Sequence, residues 1–199
     1  MPLVVGLTGG IACGKTAVSN AFSNLGIDII DTDIIAREIV EPGQVALQEI
    51  ENAFGKEVLQ SDGRLNRKKL REIIFSDSSA KQQLEKITHP KIRVKTDEQI
   101  KASSSPYCIV VIPLLFETTP NPLINRILVV DCLPEVQLER LIERDNMTKE
   151  TALNIINQQT SRETRLNGAD DVIENNDSSD ALTTKVNSLH QKFLALSNM

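Results

Sequence analysis

Tryptophan is absent from the 199 residues, and the other aromatics are limited to five Phe and one Tyr. So few flat rings count against stacking of single-stranded bases. An excess of positive charge is lacking as well: 22 Lys and Arg stand against 27 Asp and Glu, for a formal net charge of −5. No global positive field exists to hold nucleic acid, and any anion site has to be local. No apolar run approaches membrane-spanning length, and the N-terminus has neither a basic n-region nor a long apolar h-region. The chain is therefore expected in the cytoplasm, with neither a membrane nor a nucleic acid as partner. Only three cysteines occur, Cys13, Cys108 and Cys132, without the close pair spacings of a zinc site. They read as free thiols of a reducing compartment. No solenoid-type repeat is evident, and the length suits one α/β domain carrying a small subdomain.

What is present is concentrated near the start. Gly9-Gly10-Ile11-Ala12-Cys13-Gly14-Lys15-Thr16 matches G-x-x-x-x-G-K-[ST] and directly follows the apolar run Leu3-Val4-Val5-Gly6-Leu7. A random chain of this length contains the pattern on the order of one time in a hundred. The context is also right: Ala17, Val18, Ala21, Phe22 and Leu25 follow at helical spacing until Gly26, a fitting C′ residue. The glycines let the backbone turn tightly and aim N–H groups at phosphate oxygens, where the helix dipole adds to the attraction. Lys15 would reach the β- and γ-phosphates, and the Thr16 hydroxyl would join the shell of a magnesium ion. The stretch predicts Mg-nucleotide. Cys13, near a helix N-terminus, is placed to have a reactive thiol.

Ile27-Asp28-Ile29-Ile30 reads as a second strand, ending in Asp31-Thr32-Asp33. Carboxylates at a strand's C-terminal end lie where open α/β sheets bind ligands. On a continued strand both would face one side; if a helix starts there, one of them caps it. Pro42-Gly43 breaks the chain, and residues 44–104 run as several short helices, one capped by Asn66 and one from about Ser79 to Thr88, broken at His89-Pro90. Lys56, Arg64, Arg67, Lys68, Lys69, Arg71, Lys91, Arg93 and Lys95 enrich this inserted segment in cations, most of them belonging to a solvated face.

Tyr107 to Ile112 and Ile127 to Asp131 are apolar runs typical of strands buried on both faces. Asp131 reads first as a helix cap or solvated carboxylate, with assistance to a metal as the sharper alternative. Pro134 fits the first turn of a helix that sets Arg140 and Arg144 one turn apart. A further helix from about Thr148 to Ser161 brings Gln158, Gln159, Arg162 and Arg165, a polar hairpin that taken alone reads as exposed. Ala169 to Asn176 reads as a last short strand, and a final helix places Leu182, Val186, Leu189, Phe193 and Leu196 on one stripe, with His190 partly exposed and inert.

These elements together resemble the dephospho-coenzyme A kinase family along nearly the whole chain. The phosphate loop, Asp31-Thr32-Asp33 with Arg37 and Pro42-Gly43, His89-Pro90, Pro113-Leu114-Leu115-Phe116-Glu117, and the late Ala169-Asp170 and Asn175 match that family's motifs in order. Two departures are visible: Ala12-Cys13 stands where the family usually has Gly-Ser, and Thr32 where it usually has Ala. The resemblance implies an α/β P-loop kinase with a five-stranded parallel sheet flanked by helices, a helical substrate-binding subdomain and a helical lid. The core would cover about 1–43, 105–139 and 166–199, the insertion about 44–104 and the lid about 140–165. It implies ATP-dependent phosphorylation of the ribose 3′-hydroxyl of dephospho-coenzyme A. In that reading Gly10, Ile11, Ala12, Cys13, Gly14, Lys15, Thr16, Ala17 and Arg144 hold ATP, with Thr16 on Mg2+. Asp33, Arg37, His89 and Leu115 meet the acceptor. Asp33, Lys15 and Arg140 carry the catalysis, Asp33 as the base that orients and deprotonates the hydroxyl.

Two other readings remain open on the residues alone. One is another P-loop small-molecule kinase, acting on a nucleoside monophosphate or similar acceptor. The other is a nucleotide-dependent switch, against which stand the absence of an Asn-Lys-x-Asp motif and an arginine-bearing hairpin that suits a lid supplied in cis. The sequence leaves the oligomeric state undetermined.

Overall fold

The computed structural model describes residues 2–118, 121–176 and 179–198. The chain divides into two compact units, one formed by the residues up to Asp31 with those from Gln99 onward, the other by Thr32–Glu98.

The first unit is built on a five-stranded, all-parallel sheet of β1 (Leu3–Gly9), β2 (Asp28–Asp31), β3 (Tyr107–Val111), β4 (Arg126–Asp131) and β5 (Asp171–Glu174), in the order β2-β3-β1-β4-β5. The expected five-stranded parallel sheet is the one found. Its register sets Gly6 of β1 between Val110 and Ile127, and the central strands carry unbroken apolar runs because both their faces are covered. β1 lies where the strand order changes direction, with β3 and β2 on one side and β4 and β5 on the other. The crevice at its C-terminal end is the ligand position that such sheets create.

Helices α1 (Lys15–Asn24) and α9 (Ser179–Ser197) supply Val18, Phe22, Leu182, Val186 and Phe193 to the main core. Three of the six aromatics meet there. Phe22 stacks on Phe193 at 6.1 Å, and Tyr107 meets both rings edge-on at 6.4 and 5.5 Å. His190 is partly exposed, as expected, but not inert: its Nδ1 lies 2.7 Å from the hydroxyl of the fully buried Tyr107, giving that oxygen the partner it needs away from water.

The remaining helices of this unit are α6 (Pro134–Asp145), α7 (Lys149–Asn157) and α8 (Arg162–Asn167). The single helix expected over 148–161 is therefore shorter. It stops at Asn157, and Ser161 starts a new turn by accepting from the Thr164 amide at 3.1 Å. This restart re-aims Arg162 and Arg165, and Arg165 is buried, not exposed.

The second unit holds α2 (Thr32–Glu38), α3 (Val45–Phe54), a 3-10 turn at Lys56–Val58, α4 (Arg67–Ser76) and most of α5 (Ser78–Ala102). Asn66 caps α4 as expected, its side chain accepting from the Lys69 amide at 3.1 Å. The break expected at His89-Pro90 does not occur: α5 runs through Pro90 for 25 residues. A proline disturbs the carbonyls one turn back. Beside the Lys86 carbonyl, which Pro90 leaves without its helical donor, the Lys91 ammonium donates to the Ile87 carbonyl at 3.2 Å while pairing with Glu49 of α3 at 2.6 Å, which ties this turn to a neighbouring helix.

Candidate active site

The phosphate loop leaves β1 at Gly9 and enters α1 at Lys15. Gly9, at φ 154°, cannot carry a side chain, since a Cβ would lie 2.3 Å from the Val130 carbonyl oxygen of the adjacent β4. Gly14 is left-handed, at φ 95° and ψ 30°, and a Cβ there would stand 2.1 Å from Asn175 Nδ2. Ala12 is also left-handed, at φ 59°, the position where the family usually has glycine.

Four side chains grip the loop from behind. The Ile11 amide donates to Gln159 Oε1 at 2.8 Å, and the Ile11 carbonyl accepts from Gln137 Nε2 at 2.9 Å. Asn175 Nδ2 donates to the Cys13 carbonyl at 2.9 Å, and the Cys13 amide closes a turn onto the Gly10 carbonyl at 3.2 Å. Arg165 lies against Gly10 and donates to the Thr160 carbonyl. Gln137 and Asn175 are 5% and 8% exposed, so each hydrogen bond also satisfies a buried amide side chain.

The open side of the loop faces a cavity of about 360 Å³ lined by Ala12, Gly14, Lys15, Thr16, Arg140 and Arg144. Three of the six lining residues are cations and none is an acid, which suits a polyanion. The Lys15 ammonium donates to the Gly9 and Gly10 carbonyls, each at 2.9 Å. Arg140 Nη1 donates to the Asn175 carbonyl at 2.8 Å, so Asn175 joins the loop to this arginine. Arg144 makes a two-pronged pair with Asp145 at 2.8 and 2.7 Å, which raises the arginine and holds the Asp145 carboxyl below its ordinary range. That pair is exposed and contributes little to stability. Thr16 and Ala17 sit exposed in the first turn of α1. An exposed hydroxyl at this point fits Mg2+, which ordinarily takes few protein ligands and keeps its other positions for phosphate and water.

Asp131, at the end of β4, is neither a helix cap nor a solvated carboxylate. It is 4% exposed, and both its oxygens are taken by Arg162, at 2.9 and 3.1 Å from Nε and 2.5 Å from Nη2. Burial without water demands such a partner. Leu115 turns its side chain inward against Gly6, whereas its neighbour Leu114 is exposed.

The remaining candidates belong to the other unit. β2 ends at Asp31 and α2 begins at Thr32, so Asp33 lies in the first helical turn and not on a continued strand. Asp33 and Arg37 are four residues apart on α2, and both are exposed; His89 is exposed on α5.

The structure thus gathers Ala12, Gly14, Lys15, Thr16, Arg140 and Arg144, six of the expected residues, around one cavity. Sequence reasoning missed the loop-holding roles of Gln137, Gln159 and Asn175. Gln137 had a legible signal, because it lies one turn before Leu141 on the buried face of α6, a polar residue at an apolar position.

Comparison with known proteins agrees with this geometry. Residues 3–181 match the family model for dephospho-CoA kinase. Dephospho-CoA kinase of Escherichia coli (strain K12) is 46% identical over 198 residues, covering 100% of this chain and 96% of the relative. Among solved structures, dephospho-CoA kinase from Campylobacter jejuni is 31% identical with a TM-score of 0.76 and 100% of both chains covered. TT1252 from Thermus thermophilus is 27% identical with a TM-score of 0.82, covering 96% of this chain and 97% of that one. With the family's model spanning most of the chain and its phosphate loop shaped into a cationic pocket, this chain belongs to the dephospho-CoA kinase family.

Proposed function

We propose that the chain transfers the γ-phosphoryl group of ATP to the ribose 3′-hydroxyl of dephospho-coenzyme A, giving coenzyme A and ADP, the last step of coenzyme A synthesis, in the cytoplasm. The observation that carries the phosphoryl-transfer chemistry is the convergence of Lys15, Thr16, Arg140 and Arg144 on one cavity without carboxylates at the N-terminus of α1. Phosphoryl transfer asks a protein for alignment and charge neutralisation more than for covalent help.

The loop residues from Gly10 to Ala17 wrap the ATP phosphates, and Lys15 exchanges its carbonyl partners for β- and γ-phosphate oxygens. Thr16 would be the protein's ligand to Mg2+, whose contribution there would be to offset the charge of the phosphate groups. Arg140 stabilises charge on the transferred group, and Arg144 supports the nucleotide from the next turn. Asp33 accepts the proton of the 3′-hydroxyl as its oxygen attacks the γ-phosphorus and the bond to ADP breaks. Arg37, His89 and Leu115 bind the acceptor. Residues of about 44–104 form the acceptor-binding region and those of about 140–165 the lid, with the rest of the chain as the core.

The purified protein is to be incubated with Mg-ATP and dephospho-coenzyme A, AMP or adenosine in parallel, and the products weighed by mass spectrometry. Only dephospho-coenzyme A should gain one phosphoryl group. Phosphorylation of AMP in preference would move the chain to the nucleoside monophosphate kinases. Asp33→Asn should lower turnover by about a hundredfold or more with acceptor affinity less changed; loss in Asp31→Asn alone would reverse the roles of the two aspartates.

A further inference from the structure

Two of the three cysteines, 119 positions apart in sequence, meet behind the phosphate loop. Cys13 Sγ and Cys132 Sγ lie 2.8 Å apart, both residues only 1% exposed. Cys13 is the loop residue before Gly14; its Sγ lies 3.0 Å from where a Cβ on Gly10 would stand, and it is not among the residues that line the cavity. Cys132 follows the last residue of β4. Neither thiol has a part in phosphoryl transfer. We propose that Cys13 and Cys132 form a reversible disulfide under peroxide, with Cys132 acting as the resolving thiol that spares the loop from irreversible oxidation.

The geometry favours this bond over any other fate of Cys13. Disulfide sulfurs stand about 2.05 Å apart, so closure asks for less than one ångström of sulfur movement. The Cys13 backbone is already pinned by Asn175 and Gly10 and need not follow. The electrostatics assign the roles. The Cys132 S–H donates to Cys13 and keeps its proton, raised by that bond and by burial, whereas Cys13 is lowered by the same hydrogen bond and, against its own burial, by nearby Lys15 and Arg165. Cys13 is therefore the nucleophile. Its thiolate attacks hydrogen peroxide, the O–O bond breaks, and hydroxide leaves and takes a proton as water, giving the sulfenic acid. The Cys132 sulfur then attacks the Cys13 sulfur, the S–O bond breaks, and the Cys132 proton leaves with the hydroxyl as a second water. Two thiols and one peroxide thus give a disulfide and two waters. Without a resolving thiol the sulfenic acid is open to further oxidation to sulfinic acid, which thiols do not reverse and which sets a fixed anion directly beneath the phosphate site.

The test treats the full-length protein with hydrogen peroxide and reads thiols, peptides and turnover. Wild type should lose two titratable thiols and yield a Cys13–Cys132 linked peptide. Cys108, buried on β3 with its thiol pushed up to about 11 by burial, should stay reduced. Dithiothreitol should then restore turnover almost fully. Peroxide-treated Cys132→Ser should carry sulfinic acid at Cys13 and recover at least about tenfold less turnover after dithiothreitol; Cys132→Ala serves if the serine variant folds poorly. Absence of the linked peptide, or equal recovery in wild type and the Cys132 variants, would overturn the proposal. The linked peptide is read by mass without any substrate, so this outcome is separate from that of the proposed activity.

Discussion

Gly14→Ala probes the point where the loop's shape depends on a distant residue. The new methyl would lie 2.1 Å from Asn175 Nδ2, well inside contact distance, on a backbone at φ 95°. Two costs follow, and they can be separated. Placing an L-residue in the left-handed region costs roughly 1–2 kcal/mol. Pushing Asn175 aside breaks its 2.9 Å bond to the Cys13 carbonyl and leaves buried polar groups unpaired, which costs about 1–3 kcal/mol more. The single variant should therefore lose about 2–5 kcal/mol in urea unfolding. ATP affinity should fall as well, because Asn175 also offers its carbonyl to Arg140. Asn175→Ala alone should lose about 1–3 kcal/mol. In the double variant the methyl has room, so adding Gly14→Ala to Asn175→Ala should cost only the backbone part, roughly 1–2 kcal/mol. The expected coupling is about 1–3 kcal/mol, against about 0.3–0.5 kcal/mol of scatter for independent sites. Additive losses in the four-protein cycle would show that Asn175 does not set the loop at Gly14.

Other expectations are simpler. Arg140→Ala should depress turnover, by a factor approaching about a thousand, more than it weakens ATP binding, and Arg140→Lys should rescue only in part because the planar fork is lost; unchanged turnover in steady-state assays would remove Arg140 from catalysis. Asp131→Asn leaves the half-exposed Arg162 without its buried counter-charge and should destabilise by about 2–4 kcal/mol, with Mg2+ dependence of the rate unaltered; a shifted Mg2+ requirement would reinstate a metal role. The Asp28 carboxyl is held below its ordinary value by the Ser103 hydroxyl at 2.7 Å, then by the amides of Ser105 and Ser104. A depressed carboxyl stabilises the fold above the unfolded value of about 4, and that stability is lost as pH falls through the lower folded value. Asp28→Asn should thus cost about 1–3 kcal/mol at pH 7 and progressively less below about pH 4; an equal cost at both ends of a pH series of urea melts would contradict this.

Local order in the chain made much of this protein legible. The glycine spacing from Gly9 to Gly14, the apolar runs of β1, β3 and β4, Pro134 at the start of α6, Asn66 capping α4 and the stripe of α9 are short-range patterns, and each was found where the sequence put it. Such features depend on residues within a turn or two of one another, so composition and periodicity suffice. Lys15, Thr16, Arg140 and Arg144 share a cavity because two strand ends lie side by side; the sequence named the residues, and the parallel sheet made them neighbours.

Contacts between distant positions were decided by the tertiary structure alone. At Pro90 helix α5 is tied to α3 by Lys91, whose ammonium meets both the Ile87 carbonyl and Glu49, 42 positions away. His190 became the partner of a buried phenol only through the packing of α9 on β3, and Asp131 left solvent only because α8 brings Arg162 over it. The loop's grip by Gln137, Gln159 and Asn175, and the meeting of Cys13 with Cys132, span 119 to 162 positions. A sequence specifies locally which groups each residue carries, but the partner that satisfies a buried polar group is chosen by the fold, since burial itself creates the demand for that partner.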